Sequence, residues 1–327
     1  MPLVDLEGLK TLVSVFNFSF PFSKEYAEFF KENYSKEIVY YESRGNVVPL
    51  QFLGREPFKQ AQLLAAPENN GKQIEGKELV DFLNELIADL KKDNSCIRLI
   101  QPHPMAFTSE KPAVKKWCAF GTYITHLQNK SDEALLSEFD PKYKKAVVHC
   151  IKNGGTIRIG HDLVDEFYTL YLHTCTKAKI HADKKEYFQS LIHHLPHQTT
   201  FAIVNEENGT PIGGAFFIFD KQRCYCTHAG SNQGSKLYGG MKYLHYEVMK
   251  WMRDQGVNQY DLTGVRINSS NETLQGIFKF KKGFGGELKK GYLWKADMNS
   301  FKCMIYDLLL LIKLRGKKQF DIIDQEN

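Results

Sequence analysis

The same order of predicted elements occurs twice in this chain, at an offset of about 164 residues. A β-hairpin is predicted at 38–50, where Gly-Asn separates two apolar runs, and another at 203–219, where Asn-Gly does so. An aromatic-rich helical stretch precedes each hairpin, and an amphipathic helix and a further strand follow it. These matched elements are the helical stretches at 25–30 and 186–191, the helices at 79–90 and 241–252, and the strands at 96–100 and 259–262. Because the elements keep one order and one offset, the sequence predicts two tandem copies of a single α/β unit.

The chain length of 327 residues fits two domains of ordinary size. We expect the first domain at 1–150 and the second at 151–299. The segment 122–160 lies between the two copies and contains two predicted helices. The second of these, at 142–152, is basic and ends where Asn-Gly-Gly begins at Asn153.

Composition and charge exclude several classes of protein. The formal net charge of +5, from 43 basic and 38 acidic residues, permits an anionic partner without requiring one. The seven cysteines are scattered, and no second Cys pair or nearby His pair completes a metal site around Cys224 and Cys226. No 18-residue apolar run predicts a transmembrane segment, and the acidic start MPLVDLEGLK does not resemble a signal peptide. We therefore expect a cytoplasmic protein with free thiols and no bound metal.

An apolar stretch near the end of the sequence, at 304–314, is followed by Arg315, Lys317 and Lys318. Two interpretations stay open for it. One is a C-terminal helix docked on the body of the protein. The other is weak peripheral attachment to an anionic inner membrane face through residues 304–318.

A glycine-rich turn precedes the long helix of the second copy. Gly230, Gly234, Gly239 and Gly240 lie between the strand predicted at 224–228 and that helix. A helix N-terminus exposes unpaired N–H groups at the positive end of the helix dipole, where a phosphate or carboxylate binds well. The alternative is that these glycines only turn the chain. The first copy has fewer glycines at this place, so any anion site is expected in the second copy.

The stretch FKFKKGFGGE, at 278–287, combines three phenylalanines with three glycines that fall within four residues. One interpretation is a hairpin closed by buried phenylalanine rings. The other is a rigid bend that presents a lysine to a ligand. Asp261 precedes this stretch near the end of a predicted strand, where active groups of α/β sheets tend to lie. Capping or salt-bridging would explain an aspartate there as well.

Four runs of sequence together carry a resemblance to a known family. They are YDLTGV at 260–265, NETLQGIFKFKKGFGGELKK at 271–290, TYITHL at 122–127 and DLVDEFYTLYLHTCTKAKI at 162–180. The chain resembles the Fem family of aminoacyl transferases over roughly residues 100–295, most specifically from Phe280 to Phe284. The resemblance implies an α/β fold of two tandem GNAT-like acyltransferase domains, with residues 300–327 packed back on the first.

The resemblance also implies a reaction. Fem enzymes transfer an aminoacyl group from the 3′ ester of a charged tRNA to an amine of a peptidoglycan precursor, a UDP-linked or lipid-linked muramyl peptide. The expected partners are therefore a charged tRNA and such a peptide. Because the ester is already activated, the enzyme needs no cofactor and no covalent nucleophile. It needs to position the amine and to stabilise the oxyanion that forms.

The candidate site residues follow from the same resemblance. Lys281, between Phe280 and Phe284, is expected to hold a positive charge near a phosphate or the oxyanion. The glycines that follow it are expected to let the backbone approach the ligand. The candidate catalytic residues are Lys281, Phe280 and Asp261. The candidate substrate-binding residues are Lys177, Tyr238, Gly239, Gly240, Tyr246, Arg266, Phe284 and Gly285.

Three places depart from the family pattern, and at one of them Tyr143, Lys144 and Lys145 stand where an arginine is usual. Lys177 stands where an arginine is usual, and a lysine keeps the charge but loses the bidentate geometry. Thr263 stands where a glycine is usual.

Two other functions stay open at this point. One is an N-acyltransferase that uses acyl-CoA as donor and modifies an amino sugar or a lipid-linked saccharide. It would bind the CoA pyrophosphate at the glycine turn, although residues 236–241 match the usual pattern only in part. The other is a non-catalytic tandem domain that binds the precursor or tRNA, which the lost arginines would fit.

Overall fold

The computed structural model describes residues 3–12, 18–101, 104–232, 237–267, 269–313 and 322–325. The chain divides into two compact units. Unit 1 comprises residues 1–121, 266–271 and 289–327, and unit 2 comprises residues 122–265 and 272–288. This division differs from the predicted boundary after residue 150, because the two helices between residues 131 and 152 group with unit 2.

The first part of unit 1 contains three α-helices, seven strands and the start of an eighth strand within the described residues. The helices are α1 (Leu6–Leu12), α2 (Lys24–Tyr34) and α3 (Gly76–Lys92). The strands are β1 (Leu3–Val4), β2 (Val39–Ser43), β3 (Asn46–Leu53), β4 (Gln60–Leu63), β5 (Glu68–Asn69), β6 (Lys72–Gln73), β7 (Arg98–Ile100) and β8 (Lys116–His126), which continues into unit 2.

Unit 2 begins within β8 and contains six α-helices and six further strands in its described residues. The helices are α4 (Asp132–Ser137), α5 (Pro141–Lys152), α6 (Val164–Ala178), α7 (Lys185–His194), α8 (Gly240–Asp254) and α9 (Glu272–Lys282). The strands are β9 (Thr156–Gly160), β10 (Thr199–Asn205), β11 (Pro211–Phe219), β12 (Arg223–Ser231), β13 (Gln259–Asp261) and β14 (Val265–Arg266), which ends in unit 1.

The chain then returns to unit 1 through β15 (Glu287–Asp297), α10 (Ser300–Lys313) and α11 (Ile322–Gln325). Arg98 and Cys303 hold α10 and the end of β15 against the rest of unit 1. The guanidinium of Arg98 on β7 donates to Asp297 at 2.5 Å and to both oxygens of Asp307 at 2.8 Å, and the Cys303 thiol contacts the carbonyl of Ile97 at 3.1 Å. The described part of 300–327 therefore groups with unit 1.

The predicted internal repeat is confirmed by the strand pairing within each unit. In unit 1, β2, β3 and β4 are antiparallel neighbours, and α3 crosses over to β7, which is parallel to β4. In unit 2, β10, β11 and β12 are antiparallel neighbours, and α8 crosses over to β13, which is parallel to β12. A parallel pair needs a crossover connection of this kind, and a helix is its usual form.

The crossover helices supply the apolar face that each sheet needs. In α3 and α8 the buried residues recur at helical spacing, so one face of each helix lies on its own sheet. In α3 these residues are Leu79, Phe82, Leu83, Leu86 and Leu90. In α8 they include Leu244, Val248, Met249 and Met252.

The first hairpin differs from its prediction in the position of the turn. Ser43 pairs with Asn46, so Arg44 and Gly45 form the two-residue turn, with φ of 56° and 80°. Two successive positive φ values belong to the type I′ turn that matches the twist of a hairpin. Asn46, predicted in the turn, therefore begins β3 instead.

All seven cysteines are free and buried. None of the helices within the described residues combines the length and the apolar character that a membrane-spanning segment requires.

Candidate functional site

Lys281 lies in the last turn of α9, not in the hairpin that one interpretation of 278–287 proposed. The helix continues through Lys282, and the glycine-rich bend at 283–286 joins it to β15. The ammonium of Lys281 donates to the carbonyl of Gly264 at 2.8 Å and to the carbonyl of Thr263. Burial lowers the pKa of Lys281 to about 8, while the nearby Cys226 and Asp261 act in the opposite direction. Lys281 is thus a half-buried cation with two of its three donors committed to backbone carbonyls.

Asp261 ends β13 and is buried below the same turn. Its Oδ1 accepts from the backbone N–H of Thr263 at 2.7 Å and from the hydroxyl of Thr122, and its Oδ2 lies 3.7 Å from Arg223. Burial raises the pKa of Asp261, and Arg223 opposes the rise. The structure thus gives Asp261 the capping and ion-pair contacts of the alternative interpretation. It anchors the turn whose carbonyls hold Lys281.

Thr263 occupies a backbone conformation that favours glycine. Its φ is +48°, in the left-handed region. Its hydroxyl contacts the carbonyl of Cys226 at 2.7 Å, and its N–H is held by Asp261. The departure from the usual glycine is therefore accommodated by polar contacts on both sides of the residue, and the Thr263 carbonyl faces Lys281.

Thr263→Gly is expected to change the free energy of unfolding by no more than about 1 kcal/mol. Relief of left-handed strain is worth about 1–2 kcal/mol. It offsets about 1 kcal/mol for the lost hydrogen bonds and about 0.5–1 kcal/mol for the greater chain entropy of glycine. Thr263→Ala keeps the strain and loses the bonds, so it should be about 1 kcal/mol less stable than wild type. Urea unfolding measures both variants, and a glycine variant less stable than the alanine variant would contradict this account.

An aromatic cluster supports the Lys281 turn of α9. The ring of Phe284 is fully buried and packs edge-to-face at 4.9–5.2 Å against His245, Phe280, Phe139 and Tyr143. The hydroxyl of Tyr143 donates to the backbone carbonyl of Phe280 at 3.1 Å. Phe284 therefore packs inward, as expected, and with the half-buried Phe280 it fixes the end of the helix that carries Lys281.

The glycines of the bend serve packing within the protein, and the prediction that they admit a ligand is not supported by their surroundings. A Cβ at Gly283 would overlap the ring of Tyr143, and one at Gly285 would overlap the carbonyl of Glu138. A Cβ at Gly286 would lie 2.7 Å from the carbonyl of Ile124. Each of these distances is too short for a real Cβ contact, so the chain itself requires glycine here.

The glycines at the start of α8 have a similar role. A Cβ at Gly239, whose φ is +92°, would lie 2.6 Å from the Cβ of Ala146 on α5, and one at Gly240 would lie 2.8 Å from Ile212. The two glycines therefore let α8 pack closely against Ala146 and Ile212. This packing accounts for them without a bound ligand. Gly234 and Lys236, which belong to the same predicted turn, lie outside the described residues.

A lysine that the sequence analysis did not single out follows these glycines. The ammonium of Lys242 lies 4.8 Å from the ring centre of Tyr143 and 4.9 Å from that of Tyr238. Burial lowers the pKa of Lys242. The ring of Tyr238 is 60% exposed, so this cation–π stack at the first turn of α8 reaches the surface.

Comparison with known proteins identifies the family. The model of the FemAB family matches residues 115–205 and 196–291, which together make up more than half of the chain. The chain belongs to the FemAB family. The second match contains Asp261, Thr263, Lys281 and Phe284, so the cluster described above lies within the FemAB segment.

The chain is similar to one curated FemAB-type enzyme. It is 23% identical over 164 residues to the UDP-N-acetylmuramoylpentapeptide-lysine N(6)-alanyltransferase of Weissella viridescens. The aligned region is 50% of this chain and 48% of the relative, so the chain spans about half the length of that protein.

Solved structures confirm the predicted fold class. FemX has a TM-score of 0.67 at 15% identity, over 94% of this chain and 100% of that chain. The C-terminal domain of a putative lysylphosphatidylglycerol synthetase from Agrobacterium fabrum has a TM-score of 0.52 at 14% identity, over 84% and 89% of the two chains. With the repeated topology, the likeness to FemX confirms an α/β chain that is built from two tandem copies of one unit.

Three further predicted residues lie on α8, α6 and β14. Tyr246 is buried in the core, where its hydroxyl donates to the backbone carbonyl of Asp132 at 3.1 Å, so the prediction that it binds substrate is not supported. Lys177 is exposed in the last turn of α6. Arg266 ends β14 and groups with unit 1. The structure thus brings together Lys281, Phe280, Asp261, Phe284 and Gly285 from the predicted set.

Sequence reasoning missed a buried pair beneath the aromatic cluster. Nδ1 of His245 on α8 lies 2.6 Å from the hydroxyl of Tyr260 on β13. Burial lowers the pKa of His245 to about 3, and the charge of Lys281 acts in the same direction. The imidazole is therefore neutral at physiological pH. His245 stands within an apolar helical pattern, which gave no signal that a polar pair was present.

Proposed function

We propose that this protein transfers an aminoacyl group from a charged tRNA to an amine of a UDP-linked or lipid-linked muramyl peptide. The observation that carries the proposal is the Lys281 ammonium, held by the carbonyls of residues 263 and 264 within the FemAB segment. The name of the Weissella relative, an alanyltransferase for a muramoylpentapeptide lysine, supports the acceptor class.

The chemistry that the site must assist is simple. The acceptor amine attacks the ester carbonyl carbon, a C–N bond forms, and the C–O bond to the tRNA 3′ oxygen breaks. The amine proton ends on the released 3′ hydroxyl, so the products are an amide and a free tRNA end. No cofactor takes part in this balance.

Lys281 has properties that would accelerate this reaction. A preorganised donor that faces the developing oxyanion stabilises the transition state more than the ground state, and a cation fixed before the reaction adds no reorganisation cost. Within the part of the chain that the structure describes, the Lys281 ammonium bonds to two carbonyls, which leaves one of its three hydrogens for a ligand. We assign it to the oxyanion or to a phosphate of the tRNA end. Phe280, Phe284 and Asp261 position it.

The face of α5 supports a nucleic-acid donor. Lys142, Lys145 and Lys152 recur at helical spacing and are exposed on one side of this helix. Lysines in such a row can contact successive phosphates, and their contribution would weaken as salt is raised. A Cβ at Gly239 or Gly240 would overlap Ala146 or Ile212, so packing within the protein accounts for these glycines without a CoA pyrophosphate.

A transfer assay with two alternative donors tests the proposal. Purified protein is incubated with UDP-linked muramyl pentapeptide and either a radiolabelled charged-tRNA pool or labelled acetyl-CoA. The proposal predicts label on the pentapeptide from tRNA only, abolished when the tRNA is digested with RNase beforehand. Label from acetyl-CoA alone would assign the protein to ordinary acyltransferases. The absence of label from both donors, with folded protein, would contradict the proposal for this acceptor.

The transfer rate is expected to fall as the pH rises through about 8. Because burial lowers the pKa of Lys281 to about 8, its charged form is present below that pH and is lost above it. The acceptor amine must lose its proton to attack, so below this pH kcat/KM should increase as the pH increases. The two effects together give a bell-shaped profile. Lys281→Arg stays charged and should move the falling limb to higher pH. An unchanged falling limb in a Lys281→Arg enzyme would assign that limb to another group.

A further inference from the structure

Helix α10 presents an apolar stripe to solvent. Six of its apolar side chains are exposed, and five of them recur at helical spacing on one face, whereas the sixth, Leu310, lies on the other side of the helix. Phe301, Met304 and Ile312 are each 60–67% exposed, and Leu308 and Leu309 lie between them along the helix. Single exposed apolar residues are ordinary, but a contiguous stripe on one helix marks an interaction surface.

The opposite face of α10 is fixed to unit 1. Cys303 is buried against the carbonyl of Ile97, Asp307 pairs with Arg98, and the ring of Tyr306 lies 5.9 Å from that of Phe58. These contacts orient the helix with its apolar stripe outward. The helix is therefore docked on the body of the protein, as one interpretation of residues 304–314 proposed. It also has the exposed apolar face that the other interpretation, attachment to a membrane, requires.

The charge around the stripe is positive. On a helical projection Lys302 and Lys313 lie on the same flank of the stripe, near its polar boundary. Asp307, the acid within α10, lies on the other side of the helix, where it pairs with Arg98. The sequence continues with Arg315, Lys317 and Lys318, which lie outside the described residues. A second copy of the chain on this face would bring these like charges together, whereas an anionic surface would complement them.

The length of the helix indicates how it would meet a membrane. At roughly 1.5 Å per residue, its 14 residues extend about 21 Å, which is too short to cross the hydrocarbon core of about 30 Å. An amphipathic helix with an apolar stripe and lysines on its flank is suited to lying in the interface plane, with the lysines reaching toward the head groups.

We propose that α10 docks this protein on the anionic surface of a phospholipid bilayer, with Phe301, Leu308 and Ile312 in the acyl boundary and Lys302 and Lys313 at the head groups. This proposal does not depend on the proposed reaction. It adds a location at which a lipid-linked acceptor would be within reach of the enzyme.

Co-sedimentation of the full chain with vesicles tests the proposal. Vesicles of phosphatidylcholine with phosphatidylglycerol should bind the wild-type protein, and binding should weaken at high salt or without the anionic lipid. Leu308→Ser with Ile312→Ser should weaken binding at least about tenfold, since two buried side chains are lost from the interface. Ile180→Ser is the matched control, because Ile180 is 61% exposed in unit 2, and it should bind as wild type does.

A second variant keeps the test decisive if the serine variant does not fold, as judged by circular dichroism. Lys302→Glu with Lys313→Glu leaves the apolar stripe intact and should weaken binding to the anionic vesicles by about tenfold or more. Failure of the wild-type protein to bind these vesicles at low salt would overturn the proposal. So would binding that neither variant changes. A wild-type dimer that the serine variant converts to a monomer, without vesicle binding, would assign the stripe to a second copy of the chain instead.

Discussion

Lys281→Met is expected to lower kcat for aminoacyl transfer by about 10²–10³-fold, the usual effect of removing one preorganised donor from an oxyanion site. Methionine keeps the length of the side chain and its packing against the end of α9. It removes the cation and leaves the carbonyls of Thr263 and Gly264 without their donor. Single-turnover transfer from a charged tRNA, with excess enzyme, measures the loss.

The matched control is Lys282→Met, one residue further along the same turn. Lys282 is exposed, so its loss changes the net charge equally without touching the carbonyls of the turn. We expect its rate to remain within about twofold of wild type, as for most surface substitutions. If Lys281→Met turned over as fast as Lys282→Met, and both were folded, Lys281 would have no role in the reaction.

Gly285→Ala is expected to lower the free energy of unfolding by about 2–5 kcal/mol. The φ of Gly285 is +74°, where an alanine costs about 1–2 kcal/mol, and its Cβ would overlap the backbone carbonyl of Glu138. Relieving such an overlap in a packed region costs about 1–3 kcal/mol more, since the neighbouring atoms are backbone and cannot rotate away. Urea unfolding at equilibrium measures the change.

Gly209→Ala separates the two contributions. Gly209 has a comparable φ of +85°, but a Cβ there would have no neighbour within 4 Å. It should therefore show the conformational cost alone, about 1–2 kcal/mol. If both substitutions lowered the free energy of unfolding equally, the bend would accommodate the added Cβ at no cost. Close packing against Glu138 would then not explain the glycine at residue 285.

The architecture could be predicted from the sequence because the patterns that indicate its helices and turns are local and occur twice. The helical spacing of Leu79 to Leu90 and of Leu244 to Met252 depends only on which side of a helix faces a sheet. The Asn-Gly turn of the second hairpin likewise depends on local backbone preference. Repetition of the same order then predicted the topology of both units. The first of the two helices predicted between the copies begins at Asp132, with Ser131 as its cap.

The secondary structure at the end of α9 was harder to predict because two patterns overlap there. Alternation of Phe and Lys at 278–282 favours a strand, whereas Ile277, Phe280 and Phe284 fall at helical spacing. Tertiary packing stabilises the helical conformation, because the Phe284 ring fills a space between His245, Phe139 and Tyr143. Those partners lie far away in the sequence, where no local pattern could pair them with the bend.

The roles of the glycines and of Asp261 depended on distant contacts in the same way. The sequence shows a flexible bend, but not that Glu138 and Tyr143 are pressed against it. It shows an aspartate at the end of a strand, but not that Thr122 and Thr263 donate to its carboxylate. The resemblance identified Lys281, and the structure adds the carbonyls and the buried partners that hold its ammonium.

The most direct test of the central claim is the mass of the acceptor after incubation with the protein and charged tRNA. The account predicts that a UDP-linked muramyl pentapeptide gains the mass of one amino acid residue with wild-type protein, and that fragmentation places it on the acceptor amine. Under the same conditions Lys281→Met should give little or none of this product. An acceptor that stays unchanged with tRNA but gains an acyl group from acyl-CoA would contradict the account.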